Sequence, residues 1–272
     1  ADNEKLKKSL ELAKRNFEKR LGMPKKPKAL DEAQEIVWEA RETSDHNKRI
    51  KMAHEALSIS LDCADAYVML AQEDADNYVE ALFLYKKGVE AGRRALGKKM
   101  FEENGGHFWG IIETRPYMRA LAGLAQCSWE VGQNETAVNQ YEGMLLLNPN
   151  DNQGVRYMLS GYLAELKKYD ELEKLMARYL DDFGLHWVYA YPLLSFVKEG
   201  DSEKSKKLLL EAVARNKFVL DYLLGKKNMP EYLPDSYSLN GEDEAICYVA
   251  DFKKAWKNVD GAMEWLKSVN AN

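Results

Sequence analysis

Cysteine is scarce in this 272-residue chain, and the three present (Cys63, Cys127, Cys247) are odd in number, widely spaced and without a CxxC pair. That excludes a disulfide framework and a zinc ribbon, and it fits a reducing compartment. Proline and glycine are also few, seven and seventeen, which argues against a sandwich or barrel with its frequent turns. Long apolar runs are missing too. The longest, FGLHWVYAYPLLSFV from Phe183 to Val197, is broken by His186 and Pro192 and falls short of the ~20 residues a membrane helix needs. The N-terminus is charged from its second residue and offers no export segment. A cytoplasmic location without membrane insertion is therefore expected.

What the chain does contain is 46% hydrophobic and 31% charged residues, rich in Ala, Leu, Glu and Lys, the composition of an all-α protein that buries a core. The charge is uneven. Residues 1–30 carry ten Lys/Arg against four Asp/Glu, a local +6 that leaves −11 for the rest of a chain whose total is −5. An acidic body argues against a nucleic-acid groove. Within the basic segment, Leu6, Leu10, Ala13, Phe17 and Leu21 recur at helical steps, and GMPKKPK then stops the pattern. Residues 1–30 are expected to form a basic amphipathic helix and linker, most simply a cap with a solvated basic face. Contact with anionic lipid or nucleic acid is the alternative.

An internal repeat organises residues 31–272. It is clearest in PYMRALAGLAQCSWEVGQNETAVNQYEGMLLLNPND. Leu121, Leu124 and Ala125 fall on a first helix, Gly132 in a turn, Ala137 and Tyr141 on a second helix, and Pro149 just past its end. Two helices approach to about 8–10 Å only where small residues face each other, here Ala125 and Ala137, with large side chains filling the space beside them. These positions match the tetratricopeptide repeat, whose period is about 34 residues. Looser copies lie on both sides, in DEAQEIVWEARETSDHNKRIKMAHEALSIS, DAYVMLAQEDADNYVEALFLYKKGVEAG, DNQGVRYMLSGYLAELKKYDELEKLMARYL, VYAYPLLSFVKEGDSEKSKKLLLEAVARN and EDEAICYVADFKKAWKNVDGAMEWLKSV. The expected fold is an α-solenoid of about six antiparallel helix hairpins in a right-handed superhelix, with an insertion at about residues 93–115.

The degenerate repeats, with CADAYVMLA and GEDEAICY as the most specific segments, resemble the soluble portion of the suppressor of tumorigenicity seven family and its short cytosolic relatives. The resemblance spans roughly Ala33 to Leu266. It implies a scaffold or adaptor role with no enzymatic chemistry, and the membrane segments of the eukaryotic members have no counterpart here.

Catalytic motifs are wanting. GRRALGKK at Gly92 to Lys99 has the G-x-x-x-x-G-K spacing, but Lys99 stands where Ser or Thr should meet magnesium and no strand precedes it. The four histidines form no HExxH and no GxSxG elbow presents a serine, so no catalytic residue, metal or cofactor is assigned. The stretch ENGGHFWGIIETRPYMRA, from Glu103 to Ala120, gathers the remaining chemistry. Its leading reading is a plug in which Phe108, Trp109, Ile111 and Ile112 cover core, with Glu113 and Arg115 paired near a helix start. A recognition role for His107, Trp109, Arg115, Tyr117 and Arg119 is the second, and catalysis by His107 and Glu113 a third.

Tetratricopeptide geometry puts positions 2, 5, 9 and 12 of each first helix on a concave face. These are Asp31, Gln34, Trp38, Arg41; Asp65, Val68, Gln72, Ala75; Arg119, Ala122, Gln126, Trp129; Gln153, Arg156, Ser160, Leu163; and Trp187, Ala190, Leu194, Val197. Tryptophan and arginine are the commonest binding anchors. Trp38, Arg41, Gln72, Gln126, Trp129 and Arg156, with the insertion residues above, are the candidate ligand-binding set. The expected function is a non-catalytic scaffold holding a protein or peptide partner, and a nucleic-acid-associated regulator is the alternative.

Overall fold

The computed structural model describes residues 28–270; the basic helix expected around Leu6 to Leu21 lies outside the described residues. Among the described residues there are thirteen α-helices and two short 3-10 turns, and no strand. The chain divides into two compact units, one ending at Asn152 and the other beginning at Gln153.

Unit 1 contains α1 (Lys28–Glu42), α2 (His46–Ile59), α3 (Ala64–Glu73), α4 (Tyr78–Glu103), α5 (Arg115–Glu130) and α6 (Asn134–Leu147). They pair as three hairpins, α1 with α2, α3 with α4, and α5 with α6, and the first helices α1, α3 and α5 touch in succession. Caps explain the starts: Asp45 accepts from the Lys48 N–H, and Asn77 accepts from those of Val79 and Glu80. Gly132 closes the α5–α6 turn at φ 81°, a conformation that costs glycine little. Ala125 and Ala137 are fully buried, as the small-residue spacing predicts.

Helices α4 and α5 pack unusually closely, and glycine is the reason. A Cβ on Gly88 would lie 3.1 Å from Ala120 Cβ, one on Gly92 2.9 Å from Tyr117 Cβ, and one on Gly123 2.1 Å from the Tyr85 ring. Helix α4 covers the first eleven residues of the segment read as an insertion from Arg93, so GRRALGKK is helical rather than a loop, with a break at Gly97 (φ 68°, ψ 161°). The irregular part is only Asn104 to Thr114, which holds the two 3-10 turns Phe108–Gly110 and Ile112–Thr114.

Unit 2 contains α7 (Val155–Glu165), α8 (Tyr169–Arg178), α9 (Leu185–Glu199), α10 (Glu203–Arg215), α11 (Phe218–Leu223), α12 (Glu242–Lys257) and α13 (Ala262–Asn270). The α7–α8 turn, which has no glycine, uses Lys167 at φ 58°. Helix α9 continues through Pro192. The short α11 is an element the repeat pattern does not contain.

Packing of each hairpin only on its neighbours in sequence breaks down in this unit. Helix α12 packs against both α7 and α9. Gly161 makes the approach possible, since a Cβ there would sit 3.0 Å from the Asp251 carbonyl oxygen. His186 Nε2 lies 2.8 Å from Asp251 Oδ2, and Asn258 Nδ2 donates to the Glu165 carbonyl at 3.3 Å. Positions expected to line a hollow here are core: Ser160, Leu163, Trp187, Ala190 and Leu194 are all buried, Trp187 between the rings of Tyr157 and Tyr179.

Candidate functional site

The most developed polar constellation in unit 1 centres on Asp65, in the first turn of α3 within the otherwise apolar CADAYVMLA. Its side chain is fully buried. Gln34 Nε2 of α1 donates to Oδ2 at 3.0 Å. Arg119 of α5 binds both oxygens, Nε to Oδ1 at 2.8 Å and Nη2 to Oδ2 at 2.6 Å. Arg41 Nη2 of α1 adds a contact to Oδ1 at 3.1 Å. One carboxylate thus ties the first helices of three hairpins together, in the bidentate geometry that guanidinium groups favour.

On α1, Gln34, Trp38 and Arg41 form one stripe at steps of four and three. Trp38 stays 47% exposed between two residues that hold Asp65. Gln72 and Gln126 lie seven residues beyond Asp65 and Arg119 on their own helices, and both are exposed. Gln72 hydrogen-bonds Tyr85, whose phenol burial pushes up to about 12. Trp129, further along α5, is buried.

The insertion residues separate into a plug and its latch. Phe108 is fully buried, and its ring meets Phe101 at 5.0 Å and Tyr117 at 6.2 Å. Tyr117 is itself core, set edge-on to Phe101. The buried Thr114 hydroxyl donates to the Phe108 and Ile111 carbonyls. Arg115 Nε donates to the Trp109 carbonyl at 3.0 Å, with its guanidinium 5.2 Å from that ring. His107 is exposed and Trp109 half-buried. Phe108 and Ile111 are thus buried as a plug requires, whereas Trp109 is half-buried over Arg115 and Ile112 faces outward.

Arg156 belongs to unit 2, apart from the Asp65 group. Its Nε donates to Asp182 Oδ2 at 2.6 Å, its Nη2 reaches the Tyr157 hydroxyl at 2.8 Å, and its guanidinium lies over the rings of Tyr157 and Tyr179 at 4.3 and 5.2 Å. It is an intramolecular clamp.

Of the residues singled out from sequence, the structure brings Arg41 and Arg119 together on Asp65, with Trp38 beside them. Asp65 and Gln34 were legible only as inner-face positions; the signal for more was an aspartate inside an apolar helix, which needs buried partners. Burial pushes the thiols of Cys127 and Cys247 upward, away from thiolate character. Among the described residues no three His, Cys, Asp or Glu side chains are grouped to hold a metal ion, and no helix is long and apolar enough to cross a membrane.

The family model for the ST7 protein matches residues 25–185, more than half of the chain. The chain belongs to the ST7 protein family. Among curated relatives, human suppressor of tumorigenicity 7 protein-like is 28% identical over 249 residues, 80% of this chain and 42% of that protein. The Drosophila melanogaster protein ST7 homolog is 27% identical over 269 residues, 88% of this chain and 48% of its own length. The chicken suppressor of tumorigenicity 7 protein-like is 26% identical over 268 residues, 88% and 47% of the two chains. The chain thus spans about half the length of the curated relatives it matches. The Asp65 group lies wholly inside the ST7 match, whereas GEDEAICY on α12 lies beyond it.

Proposed function

We propose that this ST7-family chain is a non-catalytic interaction scaffold that binds a peptide or protein segment across the face shared by α1, α3 and α5. One observation carries the reading: a fully buried carboxylate locks three first helices in fixed register and leaves a half-exposed tryptophan on the resulting platform. An exposed tryptophan on a rigid helix loses little freedom when a partner covers it and offers a large contact area. Gln126, exposed on α5, adds an amide donor and acceptor suited to an extended backbone. The succession of hairpins in unit 1 supports the tetratricopeptide-like interpretation. The reading involves no turnover and no cofactor.

The obvious charge reversals, Arg119→Glu and Arg156→Glu, are poor probes because each would confront a buried aspartate with a second carboxylate. Trp38→Ala and Gln126→Ala are the informative variants, since both side chains are exposed. Cross-linking followed by mass spectrometry should show partner segments attached near α1 and α5 in the wild type and depleted in both variants. Identical cross-links in all three proteins would eliminate this face as the binding surface.

A further inference from the structure

The Asp65 group of unit 1 does not balance its own charge. One fully buried carboxylate is shared by two guanidiniums, with Arg119 on both oxygens at 2.8 and 2.6 Å and Arg41 near Oδ1 at 3.1 Å. Gln34, the third partner, is neutral. Among the described residues no second carboxylate lies within ion-pair distance of either arginine. Glu73 of α3 is engaged by Arg49 and His46. Asp31, the acid on the same stripe of α1, precedes Arg41 by ten residues, about 15 Å along the helix axis. The group therefore keeps one positive charge.

That charge is accessible. The Arg41 and Arg119 side chains are 37% and 28% exposed, whereas the Asp65 side chain is at 0%. A guanidinium carries five N–H donors. Arg119 directs Nε and Nη2 at Asp65 and Arg41 points Nη2 towards it, and their remaining donors have no acceptor among the described residues. The buried anion holds both cations in place, so the pair is set before any ligand arrives and loses little freedom on binding one. Trp38, half-exposed, stands about one turn before Arg41 on α1.

We infer that Arg41 and Arg119 receive the side-chain carboxylate of an Asp or Glu within the partner segment, two positions from the apolar residue that covers Trp38. The inference rests on the scaffold reading above and adds the chemistry of what is bound. A carboxylate is the planar acceptor that guanidinium forks match, and its charge cancels the excess. Trp38 and Arg41 are separated by about 4.5 Å of helix rise. In an extended segment, residues on one side recur every second position, about 6.6 Å apart, a step the long Arg41 side chain can match. Because the segment crosses three helices, its chain passes through the site and presents a side chain there, not its end.

Random-peptide libraries displayed in two forms test this, one fused at its C-terminus so that no terminal carboxylate is available, the other ending free. Selection on the full chain from the fused form should enrich peptides with Asp or Glu two positions from a large apolar residue. In fluorescence anisotropy, converting that acid to its amide should weaken binding to the wild type roughly tenfold, as a charge-assisted contact implies, and the difference should shrink at high salt. Arg41→Gln should bind acid and amide peptides alike with an unchanged circular dichroism spectrum, whereas a purely structural effect would lower both affinities together. Arg41→Lys, which keeps the charge, should retain part of the preference. Enriched peptides that depend on Trp38 but carry no acid, an acid preference that persists in Arg41→Gln, or enrichment from the free-ended form alone would overturn the assignment and leave the scaffold reading standing. No enrichment from either form would remove the scaffold reading itself, and this inference with it.

Discussion

Removing Arg119 should expose how much of unit 1 depends on one buried charge. In Arg119→Ala, Asp65 remains fully buried and keeps only Gln34 at 3.0 Å and Arg41 at 3.1 Å. Breaking a buried pair by deleting one partner costs about 3–5 kcal/mol, because the other charge is left uncompensated. The surviving Arg41 contact and the 28% exposure of the Arg119 side chain place this case at the lower end, about 3 kcal/mol. Arg41→Ala removes one longer contact from a side chain 37% exposed, so about 1 kcal/mol is expected. The two losses should be more than additive, with a coupling of about 0.5–3 kcal/mol, since the second deletion strips the last cation from the same carboxylate. Adding Asp65→Asn to Arg119→Ala removes the stranded charge and should recover about 1–2 kcal/mol. Urea unfolding followed at 222 nm, with separate transitions assigned if the units melt apart, reads all of these. Additive single effects, or an Asp65→Asn change that worsens Arg119→Ala, would refute the idea that an uncompensated buried anion is the source of the cost.

Gly123→Ala forces a methyl into the Tyr85 ring and should destabilise by about 1–3 kcal/mol, whereas Gly143→Ala, on α6 with open space around it, should stabilise by roughly 0.5–1 kcal/mol; thermal melts of the pair separate crowding from helix propensity. Thr114→Val deprives the Phe108 and Ile111 carbonyls of their hydroxyl donor at a cost of about 1–3 kcal/mol, and limited proteolysis should then nick between Asn104 and Thr114 sooner. Burial raises the phenols of Tyr85 and Tyr157 to about 12 in the folded chain, against ~10 when unfolded. The folded state therefore holds protons that the unfolded state releases, so their contribution is complete below pH ~10 and lost as pH rises towards 12. Absorbance at 295 nm should show these tyrosines ionising late and together with unfolding, and early, independent ionisation would contradict their burial.

Much of this architecture was legible because it is local. A first helix, a turn and a second helix leave a period of 3.6 and a glycine or proline at fixed offsets, so the hairpins, the Gly132 turn and the burial of Ala125 and Ala137 could be read in order. The plug was legible in part, since two glycines beside an aromatic run suggest a chain folding back on its own core. The α4 boundary was harder. Gly88 and Gly92 look like weak helix residues in isolation, and only the facing Tyr117 and Ala120 show that they are there for close packing.

Which arginines could face a ligand lay beyond any local pattern. Spacing puts Arg41, Arg119 and Arg156 on inner faces, but whether a guanidinium is available depends on what carboxylate the fold delivers to it. Asp65 and Arg119 are separated by 54 positions and Asp182 and Arg156 by 26, and neither pairing leaves a trace in periodicity. The return of α12 onto α7 is likewise a contact between distant segments, permitted by Gly161. Sequence alone indicated most of the helices, the pairing of consecutive ones and the family, because each is written in short-range spacing, while α11 and the full length of α4 were not. Tertiary structure decided where charge is neutralised and which face stays open, because those depend on residues that meet only after folding.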